Sequence, residues 1–246
     1  MIQLVNICKS FGEQAVLKGL NLEIPKGKVT VVLGQSGSGK SVLLKHMIGL
    51  LRPDSGEVVV DGTSLSTLSD HEIVPFRCRF GMLFQGAALF DSLNVFENVA
   101  FPLKEQRQLS SEEVRKIVEA KLAAVGLSGI EEKMPSELSG GMRKRVGLAR
   151  AIALEPKIIL YDEPTTGLDP IMTSSITQLI SETQKRLKVT SVIISHDIES
   201  SFNIADKIAL LHEGRILMEG SPEEVRQSKI PYVHNFINGI STGSEV

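Results

Sequence analysis

Three patterns in this chain of 246 residues call for an α/β fold. Short runs rich in Val and Ile alternate with segments of helical periodicity. The cleanest apolar run, "KVTVVLG" (28–34), stops at a glycine-rich turn. A helix-forming segment, "VLLKHMIGLL" (42–51), follows that turn, giving strand, loop and helix in succession.

Taken in order, 28–34 is a buried strand, and 42–51 is a helix apolar nearly all round, expected to be buried. "GEVVVDG" (56–62) is a short strand bounded by glycines. From about Asp70 to Ala153 the pattern is mainly helical, so a helical insertion at roughly 87–155 interrupts the core. Within it "SSEEVRKIVEAKLAAVGL" (110–127) is amphipathic; Ser110 or Ser111 can cap its start and Gly126 can close it. "KIILYD" (157–162) and "TSVIIS" (190–195) are strands, and "KIALLHEGRILMEG" (207–220) reads as a hairpin turning at Glu213-Gly214. The domain then spans 1–228. A tail at 229–246 follows, with a short helix whose Tyr232, Val233, Phe236, Ile237 and Ile240 share a face, and a polar end, "STGSEV", expected to be disordered.

Composition narrows the function. The formal net charge of −2 argues against a general polyanion binder, so no nucleic-acid partner is expected. Cys8 and Cys78 fit no metal spacing, and two thiols in a long chain point to a reducing compartment. The N-terminus lacks a signal-peptide layout. No apolar run approaches the roughly 18 residues of a spanning helix, so any membrane role needs a partner.

"GQSGSGKS", Gly34 to Ser41, matches the P-loop pattern and stands between strand and helix as the mechanism requires. Backbone N–H groups of Gly34, Gln35, Ser36, Gly37, Ser38, Gly39 and the following Val42 can wrap phosphates. Lys40 reaches the β- and γ-phosphates, and the Ser41 hydroxyl ligates Mg²⁺. "IILYDEP" (158–164) ends an apolar strand in two acids: Asp162 can hold Mg²⁺, and Glu163 can act as general base on water. "ELSGGMRKRVGLARAIALEP" (137–156) opens another helix, with Ser139 as N-cap and a bare first turn at Gly140 and Gly141.

"LSGGM" (138–142), "TTGLDP" (165–170), Gln85 in "MLFQG" and His196 in "IISHD" fall in a definite order around these motifs. With them the chain resembles the nucleotide-binding subunits of ABC transporters over about residues 2–225. The resemblance implies a P-loop NTPase fold with a RecA-like core, an antiparallel β subdomain and a helical subdomain, and ATP with Mg²⁺ as cofactors. It implies that Phe11 stacks on adenine and that Gln85 senses Mg²⁺ and the attacking water. His196 would bond the γ-phosphate and steady Glu163. Ser139 and Gly141 would contact an ATP held by a second copy of the chain, packed head to tail, with Asp169 in the loop crossing that interface. Where the common signature has Gln, this chain has Met142, which cannot supply such polar bonds.

Three features narrow the resemblance. Six of nine phenylalanines fall within 76–101, forming either a groove for a partner's helix or the insertion's own core. In the signature helix Met142, Val146, Ala149 and Ala153 share a face, leaving Arg143, Lys144 and Arg145 mainly outside it. These three make either a solvated basic face or contacts with phosphate or partner carboxylates near the dimer seam. Pro170-Ile171 follows "TTGLD". With "FQGAALFDSLNVFENVAFPL" this is similar to the ATPases of Mla-type phospholipid transport systems. That resemblance implies an MlaE-type permease, an MCE lipid-binding protein and a small STAS-domain subunit as partners. It also implies a peripheral place on the cytoplasmic face of the bacterial inner membrane. The alternative is an importer ATPase for a small polar solute such as an amino acid.

Overall fold

The computed structural model describes residues 2–240. They form two compact units, residues 2–67 with 194–240, and Leu68–Ile193. The first unit opens with β1 (Ile2–Phe11), β2 (Gln14–Ile24), β3 (Val29–Leu33), α1 (Lys40–Met47), β4 (Ser55–Val60) and β5 (Thr63–Ser64). The second holds α2 (Asp70–Arg77), β6 (Phe80–Leu83), α3 (Val95–Gln106), α4 (Ser111–Ala124), α5 (Gly140–Ala151), β7 (Ile158–Asp162) and α6 (Pro170–Leu187). The chain returns to the first unit within β8 (Thr190–Ser195). It ends with α7 (Ile198–Ile204), β9 (Lys207–His212), β10 (Arg215–Gly220), α8 (Pro222–Arg226) and α9 (Pro231–Ile237).

In the first unit, four antiparallel strands stand in the order β2-β1-β4-β5. Every residue of β3 is buried, and β3 runs parallel to β9, Thr30 opposite Lys207 to Leu33 opposite Leu210. The β9–β10 hairpin turns at Glu213-Gly214, as the sequence predicts; both residues have positive φ, 46° and 78°, which suits the twist of a two-residue hairpin turn. In the second unit β6 and β7 run parallel, Phe80 opposite Ile158 to Leu83 opposite Tyr161, and β8 lies beside β7. Parallel neighbours buried on both faces need apolar runs, which "IILY" and "VVL" supply.

Helix ends follow local chemistry. Ser110 caps α4 in a capping box with Glu113, and the helix closes where Gly126 takes φ 72° and donates to Ala123 while Leu127 donates to Leu122. The same closing pattern ends α1 earlier than its apolar run suggests. Gly49 N–H bonds to His46 and Leu50 N–H to Lys45, so the helix stops at Met47. Leu43, Leu44 and Met47 are fully buried, but Leu50 is 51% exposed, which corrects the expectation of burial all round. The stretch expected to be mainly helical contains β6, a four-residue strand too short to show a period.

At the end of the chain α9 stops at Ile237, so Ile240 lies outside the helix and is 51% exposed. The expected shared face is narrower than the sequence implies. Val233 is fully buried, and the Tyr232 ring lies 3.7 Å from the His212 ring, centroid to centroid. The helix therefore packs on its own unit. The expected disordered end, 241–246, lies outside the described residues.

Candidate functional site

In the first unit the buried β3 delivers the chain into the loop 34–41. Gly34 stands where a Cβ would meet the Leu211 carbonyl oxygen at 2.6 Å and Ser38 Oγ at 2.7 Å, so a side chain there would break the loop. Gln35, Ser36 and Gly37 are exposed. Gly39, at φ 102°, precedes α1 and offers no side-chain cap. The first N–H groups of α1 thus lack the partner a capping side chain would give, at the positive end of the helix dipole. Lys40 is buried and its Nζ donates to the Gly34 and Gln35 carbonyls at 2.7 and 2.8 Å, a cation folded over its own loop. Ser38 Oγ is buried and has no hydrogen-bond partner among the described residues. An uncapped helix start, a cation and an orphaned hydroxyl together suit the phosphates of a nucleotide.

Phe11, at the end of β1, is 48% exposed, with Lys9 Nζ 5.7 Å from its ring centroid, so it presents a face to which a planar base can stack. His196 directly follows β8 and is exposed. It is not a buried core histidine.

The second unit carries the acids. Parallel pairing makes β6 and β7 end on the same side: Gln85 lies two residues past Leu83, and Glu163 two past its partner Tyr161. Gln85 is exposed, and Asp162 and Glu163 are half-buried. Glu163 has φ 49°, a backbone conformation costly for a residue with a side chain. Its turn is pinned: Thr166 Oγ1 donates to Glu163 Oε2 at 3.2 Å, and the Thr166 N–H bonds to the Glu163 carbonyl at 3.3 Å. Ser41 carries a hydroxyl oxygen, Asp162 a carboxylate and Gln85 an amide oxygen, each a hard donor of the kind that Mg²⁺ prefers.

Ser139 caps α5, its Oγ accepting the Met142 N–H at 3.3 Å, while Gly140 and Gly141 leave the first turn without side chains. A Cβ on Gly141 would fall 1.8 Å from Met172 Cε, the movable end of a side chain in α6. Asp169 is the N-cap of α6, accepting the Met172 N–H at 2.9 Å. The aromatic cluster divides. Phe76 is core at 6% exposed, whereas Phe84, Phe90 and Phe101 stay about two-fifths exposed, with the Phe90 and Phe101 rings 4.8 Å apart.

The expected basic face does not exist as such. Lys144 is buried, and Arg145 donates to the Val125 carbonyl at 2.6 Å and to Ser175 Oγ at 2.8 Å. Arg143 alone of the three is exposed. Further along α5, Arg150 holds the carbonyls of Ala87 and Ala88 at 2.7 and 2.8 Å, and both alanines have positive φ. Sequence reasoning missed these anchors. The signal for them was the unbroken run Val146-Gly147-Leu148-Ala149, all buried, which marks a helix covered on most sides. A cation on such a helix must reach a polar partner.

A family model for the ABC transporter matches residues 17–166. The chain is 44% identical over 243 residues to the intermembrane phospholipid transport system ATP-binding protein MlaF of Haemophilus influenzae, covering 99% of this chain and 92% of that one. It is 45% identical over 242 residues to the probable ribonucleotide transport ATP-binding protein mkl of Mycobacterium tuberculosis, covering 98% of this chain and 67% of that one. Among solved structures, the dimeric post-hydrolysis state of the ATP-binding cassette MJ0796 bound to ADP and Pi superposes with a TM-score of 0.83 at 34% identity. That match covers 90% of this chain and 99% of the other. The fold is thus the ABC ATPase fold, and the chain belongs to the ABC transporter family as one of its ATPases.

Proposed function

We propose that this ATPase powers phospholipid transport across a bacterial envelope, acting on the cytoplasmic face of the inner membrane through an MlaE-type permease. An MCE lipid-binding protein and a small STAS-domain subunit complete the complex; nucleic acid has no part in it. The observation that carries this reading is the 44% identity to MlaF, which extends over 99% of this chain and 92% of the relative. We read 1–228 as the ATPase domain, 87–155 as its helical subdomain and 229–246 as the tail.

The side chains take these roles. Phe11 stacks on adenine, and the backbone of 34–42 with Lys40 holds the phosphates. Bound Mg²⁺ would be held by Ser41, Asp162 and Gln85, and it neutralises phosphate charge. Glu163 takes the proton of the attacking water, and His196 bonds the γ-phosphate and steadies that carboxylate. Ser139, Gly140 and Gly141 meet the γ-phosphate of an ATP on a second copy, and Asp169 crosses the same seam. ATP then closes a two-fold dimer and hydrolysis opens it.

The test is to purify the chain with its native partners in phospholipid nanodiscs and to identify the permease and any bound lipid. A co-purifying permease with bound phospholipid and lipid-stimulated ATPase is the expected result. The 45% identity to mkl favours one second reading, an importer ATPase for a small polar solute. Stimulation by a solute-loaded binding protein, with no lipid retained, would replace the first reading with the second.

A further inference from the structure

Lys144 is the buried charge to which neither the motifs nor the proposed function gives a task. It lies on α5 a little over one turn past Gly140, and only 5% of it is exposed. Burial pushes its ammonium below the usual lysine range, and the nearby Glu163 charge pulls it back up. A buried ammonium is costly unless its donors are used. Here two of its three donors go to the main chain of a single turn. Nζ donates to the Thr166 carbonyl at 3.0 Å and to the Glu163 carbonyl at 3.3 Å.

That turn is the one that presents Glu163. Its φ of 49° is unfavourable for a residue with a Cβ, and such conformations persist where several contacts enforce them. Four hydrogen bonds fix the turn's two ends to one another: Thr166 Oγ1 to Glu163 Oε2, Thr166 N–H to the Glu163 carbonyl, and the two by which Lys144 Nζ bridges both carbonyls. Of these four, the Lys144 pair comes from another element. It comes from the helix that begins at Ser139.

We propose that Lys144 is a positioning residue that sets the geometry of Glu163 and ties it to the helix carrying Ser139 and Gly141. This rests on the reading of Glu163 as the general base. When α5 shifts at its N-terminal end, Nζ draws the Glu163–Thr166 turn with it. Placement of the signature helix and alignment of the base are then one event. Such alignment matters because an error of about 1 Å at a reacting group can cost ~10²-fold in rate.

The experiment measures ATP hydrolysis by the purified complex for Lys144→Met, Lys144→Gln and Lys144→Arg, each alone and with Glu163→Gln. Lys144→Met removes the donors at similar length and should lower kcat about 10–100-fold, with a much smaller change in KM for ATP. Lys144→Gln and Lys144→Arg keep donors and should recover much of the loss. In the Glu163→Gln background Lys144→Met should cost nothing further, because it acts through that carboxylate. A merely structural lysine would instead raise KM, lower kcat in both backgrounds and show no rescue. If Lys144→Met fails to fold, Lys144→Ala, which also removes the donors, decides: its loss of kcat must vanish in the Glu163→Gln background, and a loss that persists there overturns the proposal. Wild-type kcat in Lys144→Met overturns the proposal while leaving the base reading intact. Wild-type hydrolysis by Glu163→Gln overturns the base reading itself.

Discussion

Two helices of this chain begin at glycine-rich turns, and they begin differently. In the first unit α1 starts after Gly39 with no side-chain cap, and Lys40 folds back over the loop carbonyls. In the second unit α5 starts at Ser139, whose hydroxyl already accepts the Met142 N–H. The helices α2 to α8 all carry a side-chain cap; α9 also lacks one, but it begins at Pro231, which has no N–H to satisfy, so α1 is the uncapped α-helix among the described residues whose first residue still offers its N–H. An uncapped helix start with a cation beside it is a complete anion site by itself. A self-capped start with a bare surface is half a site. It satisfies its own backbone until something is pressed against it, which suits a contact made only across a dimer seam.

The largest expected effect lies on the α1 side. Lys40→Met should cut kcat/KM for ATP by about 10²–10³-fold, as removal of a single preorganised donor to developing charge does. Steady-state ATP hydrolysis by the purified complex checks it, with equilibrium binding of a fluorescent ATP analogue measured beside it. Unchanged binding and hydrolysis would mean that the loop is not the complete site its geometry suggests.

Next comes the α5 side. Gly141→Asp adds bulk and charge to the bare turn, and should leave ATP binding by the single chain intact while abolishing the ATP-bridged dimer. Size-exclusion chromatography in the Glu163→Gln background reads the dimer directly. Because Met172 Cε lies where the new Cβ would go, Met172→Ala should be combined with it to separate the internal clash from the seam. A dimer that still forms in the paired variant would show that the turn is not at the seam.

A smaller effect is expected for Ser139→Ala, which removes the cap. Loss of a serine N-cap costs ~1 kcal/mol, which for a chain of this size shifts Tm by about 2–4 °C. Thermal unfolding measures it. No change in Tm would mean the 3.3 Å bond contributes little to the resting helix, and would weaken the contrast with α1.

These helices also show how far the sequence could be read. The strand–loop–helix at 28–47 was legible because a buried strand, a glycine motif and an apolar helix coincide there. The 207–220 hairpin was legible because Glu213-Gly214 leaves few other turns. The strands β1 and β2 were not legible by alternation. Their pairing shifts register between Leu4 and Ile7, where Asn6 has φ 52°, and Val5 is 49% exposed, so the period of two breaks mid-strand. Lys144 was misplaced for a different reason. The one-face rule assumes that a helix has a wet side, and α5 is buried on most of its circumference. Periodicity finds faces; it does not find the polar partner that lets a cation lie inside.

The smallest effect sharpens the same contrast through pH. Each helix carries a buried base, but they are held differently. Lys144 on α5 donates to two carbonyls, whereas His46 on α1 is fully buried with Nδ1 on the Val42 carbonyl at 2.7 Å and Nε2 without a partner among the described residues. Burial pushes the His46 imidazole below the usual 6.5; the Val42 carbonyl pulls the other way, Lys9 pushes further down and Asp54 pulls up. A histidine with a depressed folded pKa binds its proton more readily when unfolded. Its contribution to stability is therefore present above pH 6.5 and is lost as the pH falls toward the lower folded value. The carboxylates Glu72, Glu113 and Glu224, held below their usual 4.5 by serine caps, lose their contribution in a separate and more acidic window. Unfolding by urea at a series of pH values should show a decline beginning near pH 6.5 in the parent chain, and His46→Gln should flatten it while leaving the acidic limb. A decline that survives His46→Gln unchanged would assign the sensitivity elsewhere and leave the buried base on α1 as inert as the one on α5 is engaged.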